Sequence, residues 1–551
     1  MAAAGSVAAA VLLEHPVAEL EALPGETART SMDGVPTAVA VSAMAETGPP
    51  SDRTVHEDGG PEGVGEGDDT VEMTNWSGTH SVSTAVFLQP ESLKEVEAAV
   101  AAAHARGDRL RVVGSAISPN GIGLSASGML SLALCDRVLE VDPATRTVRV
   151  QSGARVQEVV DVLREHGLTL QNYASIREQQ LGGFTQVGAH GTGAAIPPVD
   201  EQVIALQLVT PGLGTLRLTQ ADGELFTMAR LGLGALGVVT EVTLQCVPRH
   251  TLVERTSVVT RAEARDGHAG RLAANKHVRY MWLPYVDAVV VVACNPLGDE
   301  PAPAVRGWNG EAVEPLRELL AELDSAGGDL SQLSFADLRD RLLAFAPLDV
   351  DHIERVNRAE AEFWRRSVGV TMVDDSDQVL GFDCGGSQWV SEVAFPAGTL
   401  DQPTADMAYV ADVLELIETE RIAAPCPIEQ RWSSQSASPM SLASDPSGEV
   451  SLFSWVGIIM YLCTADEAQR AAITEAFLTE YRGRVAGLDD KYGAHVHWAK
   501  LEVPSGSAEL AQLRERLAER FPVSLFNDLR RVLDPKGVLS NDMINTIFGE
   551  V

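Results

Sequence analysis

The hydrophobic period of this chain switches several times between two and about 3.6 residues over residues 82–247, and that alternation most restricts its fold. VSTAVFLQP (82–90) predicts a strand, and ESLKEVEAAVAAAHARG (91–107) an amphipathic helix opened at Glu91-Ser92 and closed at Gly107. RLRVVGSAISPNGIGLS (109–125) predicts a strand that runs into a Gly/Ser/Pro loop. LEVDPATRTVRVQSG (139–153) predicts a hairpin turning at Asp142-Pro143, and VQEVVDVLREHGL (156–168) another helix. Residues 203–218 and 238–247 read as strands. Hairpins among helices argue against an all-parallel sheet, so this first domain is α+β and ends near Arg249.

At 551 residues the chain exceeds what one core holds, so a second domain is expected. YMWLPYVDAVVVVACNP (280–296) predicts paired strands and residues 310–370 helices. Residues 386–396 and 453–462 read as strands, and 465–485 and 507–521 as helices, giving a second α+β unit. Aromatic residues are only 5%, so both cores must rest on Val, Leu, Ile and Ala.

Residues 1–73 differ from the rest. They hold 14 acidic residues against two arginines, Arg29 and Arg53, and are rich in Ala, Gly, Pro and Thr. Such a stretch is expected to be disordered, because it cannot bury enough surface to offset its ordering entropy. Its apolar patch, Val7 to Leu13, lacks the basic residues of a signal peptide, and the acidity is the reverse of a mitochondrial presequence.

The formal charge of -35 disfavours nucleic-acid and polybasic membrane binding and favours basic partners. No apolar run approaches the ~20 residues of a membrane-spanning helix. Six scattered cysteines (135, 246, 294, 384, 426 and 463) exclude a zinc ribbon, a thioredoxin-type motif and a dense disulfide scaffold, and fit a reducing or mixed compartment.

Three glycine-rich segments fall within the first domain. Gly232, Gly234 and Gly237 satisfy GxGxxG, but a helix precedes them and a strand follows, the inverse of a dinucleotide-binding turn. The loop from Val112 to Gly121 follows a strand and offers Gly114, Ser115 and Ser118 to an anion. Gly182 to Gly193 lets backbone approach a flat ligand closely. Together they point to a long, phosphate-bearing cofactor. His495 and His497 form an HxH pair with no third ligand at sensible spacing, so no metal is expected.

The segments NWSGTH, VVGSAISPNGIGLS, GLTLQNYASIREQQLGGFTQVGAHGTGA, GLGALGVVTEVTLQC, ANKHVRY, GFDCGGSQWVSE, PIEQRW, FSWVGIIMYL and HWAK occur in that order. Together they resemble the L-galactono-1,4-lactone dehydrogenases of the vanillyl-alcohol-oxidase-type flavoproteins, over nearly all of residues 74–551. The resemblance implies an FAD-binding domain of the PCMH type over residues 74–250 and an α+β cap over 251–530. It also implies that residues 531–551 return to the first domain. The implied reaction is oxidation of L-galactono-1,4-lactone to L-ascorbate, with cytochrome c as acceptor, in mitochondria (inner membrane or intermembrane space). The alternatives are an aldonolactone oxidase using oxygen, and a scaffold in respiratory complex I assembly.

Residue by residue, the resemblance places FAD against Val113, Gly114, Ser115, Ala116, Ile117 and Ser118, against Ser175, Gly182, Gly183, His190, Gly191 and Thr192, and against Gly237 and Val238. Many relatives tether FAD through a histidine at the place held here by Ile117, so non-covalent FAD is expected. Glu429 and Arg431 are two apart, which on a strand puts both on one face. The resemblance makes Glu429 the residue that orients the lactone hydroxyl and Arg431 the one that binds substrate and stabilises charge. It adds Lys500 as a third catalytic residue near the flavin. Ala174 matches a position that limits oxygen access, and Cys384 a thiol sensitive to oxidation.

Overall fold

The computed structural model describes residues 70–298, 301–306, 311–324, 329–381 and 386–551. The expectation for residues 1–73 therefore falls almost wholly outside the described residues, as does Cys384.

The first domain carries two main sheets. Three short strands, Phe87–Leu88, Met129–Ser131 and Arg111–Val113, pair in parallel in that order. A five-stranded antiparallel sheet follows the order Gly214–Thr219, Val203–Thr210, Val238–Gln245, Thr147–Gln151, Val138–Asp142. The helix Leu93–Arg106 starts where Ser92 accepts the Glu95 amide and stops at Gly107, whose φ of 77° is left-handed. Asp142 pairs with Thr147 and accepts the Ala144 amide at 2.8 Å, which closes the hairpin.

The second domain is built on an eight-stranded antiparallel sheet. Its order is Gly369–Asp375, Thr251–Val259, Val289–Pro296, His277–Trp282, Ile428–Ser434, Leu452–Tyr461, Gln388–Pro396, His495–Val496. The helix Asp406–Glu420 buries Val410, Val413, Leu414 and Ile417 in the core beside this sheet. The region expected to be helical over 310–370 forms the helices Glu314–Leu323, Phe335–Phe345 and Val350–Arg366 and then becomes a strand at Gly369. That strand and Thr251–Val259 lie at one edge of the sheet, where side chains are only half covered and the apolar alternation is weak.

The chain end closes back on the first domain. The Leu110 amide donates to Val538 O at 2.7 Å, and Asn541 Nδ2 donates to the carbonyls of Gly121, Ile122 and Leu124. Among the described residues no helix is long and apolar enough to cross a membrane. Cys135, Cys246, Cys294, Cys426 and Cys463 are all free thiols.

Candidate active site

The two domains enclose a cavity of about 600 Å³. Its first-domain wall is mostly backbone and small side chains: Val113 through Ser118, Ala174, Ser175, Gly182, Gly183, Gly234 and Gly237. The Trp76 amide donates to Ala116 O at 2.8 Å, and Ala116 itself sits at a φ of +51°. Ser115 Oγ donates to Glu178 O at 2.7 Å. This hydroxyl ties two loops together, so it is the backbone of Val113 to Ser118 rather than the Ser115 hydroxyl that faces the cavity from this loop.

Arg111 holds this wall in place. Its guanidinium donates to the carbonyls of Ile122, Leu233, Gly234 and Leu539, joining the parallel sheet, the GLGALG turn and the chain end. Burial, with Arg530 nearby, pulls it down to about 10, so it stays charged at neutral pH.

The opposite wall is the face of the large sheet, and it is charged. Glu429 and Arg431 project together from Ile428–Ser434 and bond to each other. Arg279, from the neighbouring strand and opposite Arg431, donates to Glu429 Oε1 at 3.5 Å. Burial would raise the Glu429 carboxyl, but Arg431 and Arg279 outweigh it and hold it below its ordinary value. Arg431 also reaches across the cavity to donate to Ser175 Oγ at 3.0 Å, next to Ala174.

Beside them lies a second charged group. Lys500 Nζ donates to Glu392, whose Oε2 also lies 3.0 Å from His190 Nε2. Burial again opposes ionisation, but Lys500 and His190 keep the Glu392 carboxyl well below the usual range. His190 stacks on Trp455 at 3.9 Å, and its Nδ1 lies 3.0 Å from Gly191 O. Both ring nitrogens thus already face oxygens.

His190, Glu392 and His497 bring their ligand atoms within 4.8 Å of one another. The group is already bonded internally: His497 Nδ1 accepts the Ala499 amide at 3.1 Å, and its Nε2 faces Gly188 O at 3.2 Å. With the Lys500 ammonium on Glu392 as well, a cation would have to displace three partners.

The first-domain wall fits FAD. Ser152 Oγ and Gln179 Oε1 are buried without a hydrogen-bond partner in residues that line the cavity, where a polar ligand would satisfy them. A Cβ built on Gly183 meets nothing within 4 Å, so backbone there borders open space.

Eleven of the fourteen residues expected at FAD line the cavity, as do Ala174, Glu429, Arg431 and Lys500. Gly191, Thr192 and Val238 do not. The segment after His190 docks on the cap instead: Gly193 N donates to Trp432 O at 2.8 Å, Thr192 Oγ1 donates to Val278 O, and His277 Nδ1 lies 2.6 Å from Thr192 O. A Cβ at Gly191 would fall 1.9 Å from Asn172 Oδ1, so its glycine serves chain packing. Val238 pairs with Val209 and is wholly buried in the core beneath.

Residues 84–219 match the FAD binding domain family, and residues 242–547 match the D-arabinono-1,4-lactone oxidase family. The chain is 54% identical to L-galactono-1,4-lactone dehydrogenase 2, mitochondrial, of Oryza sativa subsp. japonica, over 87% of this chain and 84% of the relative. It is 52% identical to the mitochondrial L-galactono-1,4-lactone dehydrogenase of Arabidopsis thaliana, over 87% and 82%. The chain belongs to the L-galactono-1,4-lactone dehydrogenase family. L-gulonolactone oxidase of Mus musculus stands further off, at 24% identity over 87% of this chain and 98% of the oxidase. The fold of this dehydrogenase-family chain is shared with a solvent-stable cholesterol oxidase, at a TM-score of 0.65 and 15% identity over 87% of this chain and 97% of that one.

Three residues of this L-galactono-1,4-lactone dehydrogenase family member escaped the sequence reading: Arg111, Arg279 and Glu392. The last two lie inside ANKHVRY and GFDCGGSQWVSE, both quoted for the resemblance. Strand alternation, carried from Glu429 to the neighbouring strands, is the signal that finds them.

Proposed function

We propose that the protein binds FAD non-covalently, oxidises L-galactono-1,4-lactone to L-ascorbate, and passes the electrons to cytochrome c in mitochondria. The observation that carries this reading is the pairing of a cofactor-sized, glycine-lined wall with Glu429, Arg431 and Lys500 across one cavity. FAD, when bound, supplies a two-electron acceptor that can discharge to one-electron carriers.

Oxidation at the carbon bearing the 2-hydroxyl removes two electrons and two protons. Glu429, held ionised by two guanidinium groups, is a pure acceptor and orients that hydroxyl by taking its hydrogen bond. Arg431 and Arg279 donate to substrate oxygens and offset negative charge that develops as the proton leaves. Lys500, fixed by Glu392, adds a cation on the same face. Ile117 offers no nucleophile to a flavin, and both nitrogens of His190 are engaged, which supports a dissociable cofactor. Ala174, one residue from the Arg431 contact at Ser175, limits oxygen access in this reading and favours dehydrogenase over oxidase behaviour. The net charge of -35 supports a basic electron acceptor such as cytochrome c.

The test is the visible spectrum of the purified holoenzyme under anaerobic conditions, before and after L-galactono-1,4-lactone, then after oxidised cytochrome c. Bleaching by lactone and recovery with cytochrome c reduction is the expected result. Flavin indifferent to lactone sinks the substrate assignment, and bleaching that only oxygen reverses sinks the acceptor.

A further inference from the structure

Strand register divides the sheet face of the cavity into three rows. Glu392 pairs with Gly457, which pairs with Glu429: this is the catalytic row. Val390 and Ile459 pair in the next row, and Pro427 joins them as apolar lining. Gln388 and Tyr461 pair in the third. Tyr461 lies four residues beyond Gly457 along one strand, about 13 Å away. Six carbons in line are as long as two extended residues, about 7 Å. A lactone held by Glu429 therefore ends at the apolar row and cannot touch the third.

That third row carries its own set of binding groups, supplied by two helices of the cap. Arg339, from Phe335–Phe345, lies over the Tyr461 ring at 4.3 Å and over the Phe335 ring at 5.7 Å. Glu360, from Val350–Arg366, is only 3% exposed, and its Oε1 accepts Trp364 Nε1 at 3.2 Å. All five side chains line the same cavity, and the adjoining Ala336, also lining it, is exposed, so this end lies at the molecular surface. Aromatic faces stack on the C–H faces of a polyhydroxylated ring, while a carboxyl and a guanidinium bond its hydroxyls. Burial raises the Glu360 carboxyl even against Arg339, which disfavours a second negative charge beside it and suits a neutral ligand.

We propose that this outer chamber is a separate capture subsite for a neutral polyhydroxylated lactone, occupied before the substrate passes the apolar row, with Glu360 and Arg339 as its binding residues. The inference rests on the lactone oxidation proposed above. A lactone at Glu429 does not touch the chamber, so the chamber sets how fast substrate arrives rather than how tightly it is finally held. Where reduction outpaces lactone release, slower arrival raises the half-saturating concentration and leaves the limiting rate unchanged.

The experiment is anaerobic stopped-flow reduction of the FAD-loaded enzyme over a range of L-galactono-1,4-lactone concentrations, for wild type, Glu360→Gln and Arg339→Met. The half-saturating concentration is expected to rise about tenfold in each variant, with the limiting reduction rate within about twofold of wild type. FAD content and melting temperature identify folded variants, and Arg339→Met on its own helix carries the test where Glu360→Gln unfolds. Unchanged half-saturation in a folded variant overturns the proposal. So does a loss confined to the limiting rate, which would mean the chamber acts through the fold. Wild-type flavin that no lactone bleaches removes the lactone reading itself, and this inference with it.

Discussion

The two walls of the cavity are built on opposite principles. The first-domain wall presents backbone, glycine and small side chains, shaped by loops that Arg111 clamps through four carbonyls. The cap wall presents Glu429, Arg431, Arg279, Glu392 and Lys500 from regular strands and the segment just after them. A loop wall fits a cofactor by shape and tolerates few added atoms. A strand wall fixes charges by register, where a slip of one residue would turn Glu429 and Arg431 away together. Variants in the two walls should therefore fail differently: the cap in turnover with cofactor retained, the loops in cofactor affinity with chemistry retained.

The largest effect is expected at the cap. Glu429→Gln removes the ionised acceptor, and Arg431→Ala removes the cation beside it. Each should lower lactone turnover by about 10²–10⁴-fold with the flavin spectrum intact. Steady-state rates beside FAD absorbance check this. Because Arg431 also bonds Ser175, a simultaneous loss of flavin in Arg431→Ala alone would show that the walls are less independent than their construction suggests.

The next effect concerns stability below neutral pH, and it too separates the walls. His277, at the start of the cap strand His277–Trp282 on which the segment after His190 docks, is driven down to about 4 by burial, although its bond to Thr192 O opposes this. Its folded value lies below the ordinary 6.5, so the unfolded chain takes the proton first. Stability is full above 6.5 and falls as the pH drops towards 4, by about 3 kcal/mol at 1.36 kcal/mol per pH unit. Glu392, also held low, adds a further loss as the pH falls below the ordinary glutamate value. Urea titrations between pH 7 and 4 should show this slope, and His277→Gln should flatten its upper part. A slope unchanged in that variant would place the sensitive group elsewhere.

The same contrast explains what was legible in the sequence. The helix from Leu93 to Arg106 was readable because Ser92 and Gly107 are local signals, and the Glu429–Arg431 pair because strand alternation is local too. The edge strand Gly369–Asp375 and its neighbour Thr251–Val259 were not, since half-covered faces weaken the alternation. Thr192 and Val238 were assigned to the cofactor wall because motif membership says nothing of which way a residue faces. The structure turns Thr192 to the cap and Val238 into the core. Glu392 and Arg279 were missed for the converse reason: their roles come from neighbours far away in sequence, Lys500 and Glu429.

A smaller effect tests the first-domain wall at its short helix Leu181–Gln186. Gly183 borders open space, so Gly183→Val adds atoms where the fit of FAD is expected rather than where protein packs. FAD affinity should fall about tenfold, while turnover at saturating FAD stays near wild type. Equilibrium titration of the apoprotein with FAD reads the first, and rates at excess FAD the second. Lost turnover at full FAD occupancy would contradict the division between the walls.

The smallest change sits where the walls meet. Ala174 lines the cavity, packs against the first-domain core, and precedes the serine that Arg431 reaches from the cap. Its methyl group fills space beside the Arg431–Ser175 bond, so removing it frees the volume of one carbon on the cavity wall. Ala174→Gly should leave the lactone half-reaction nearly unchanged and raise the reactivity of reduced flavin with oxygen by about tenfold, a barrier change of about 1.4 kcal/mol. Anaerobic reduction followed by mixing with aerated buffer measures the two steps separately. If the methyl group alone restrains oxygen, Ser175→Ala, which breaks the bond but keeps the methyl, should leave that reactivity unchanged. If Ser175→Ala accelerates it as well, oxygen is excluded by closure of the cap on the loop.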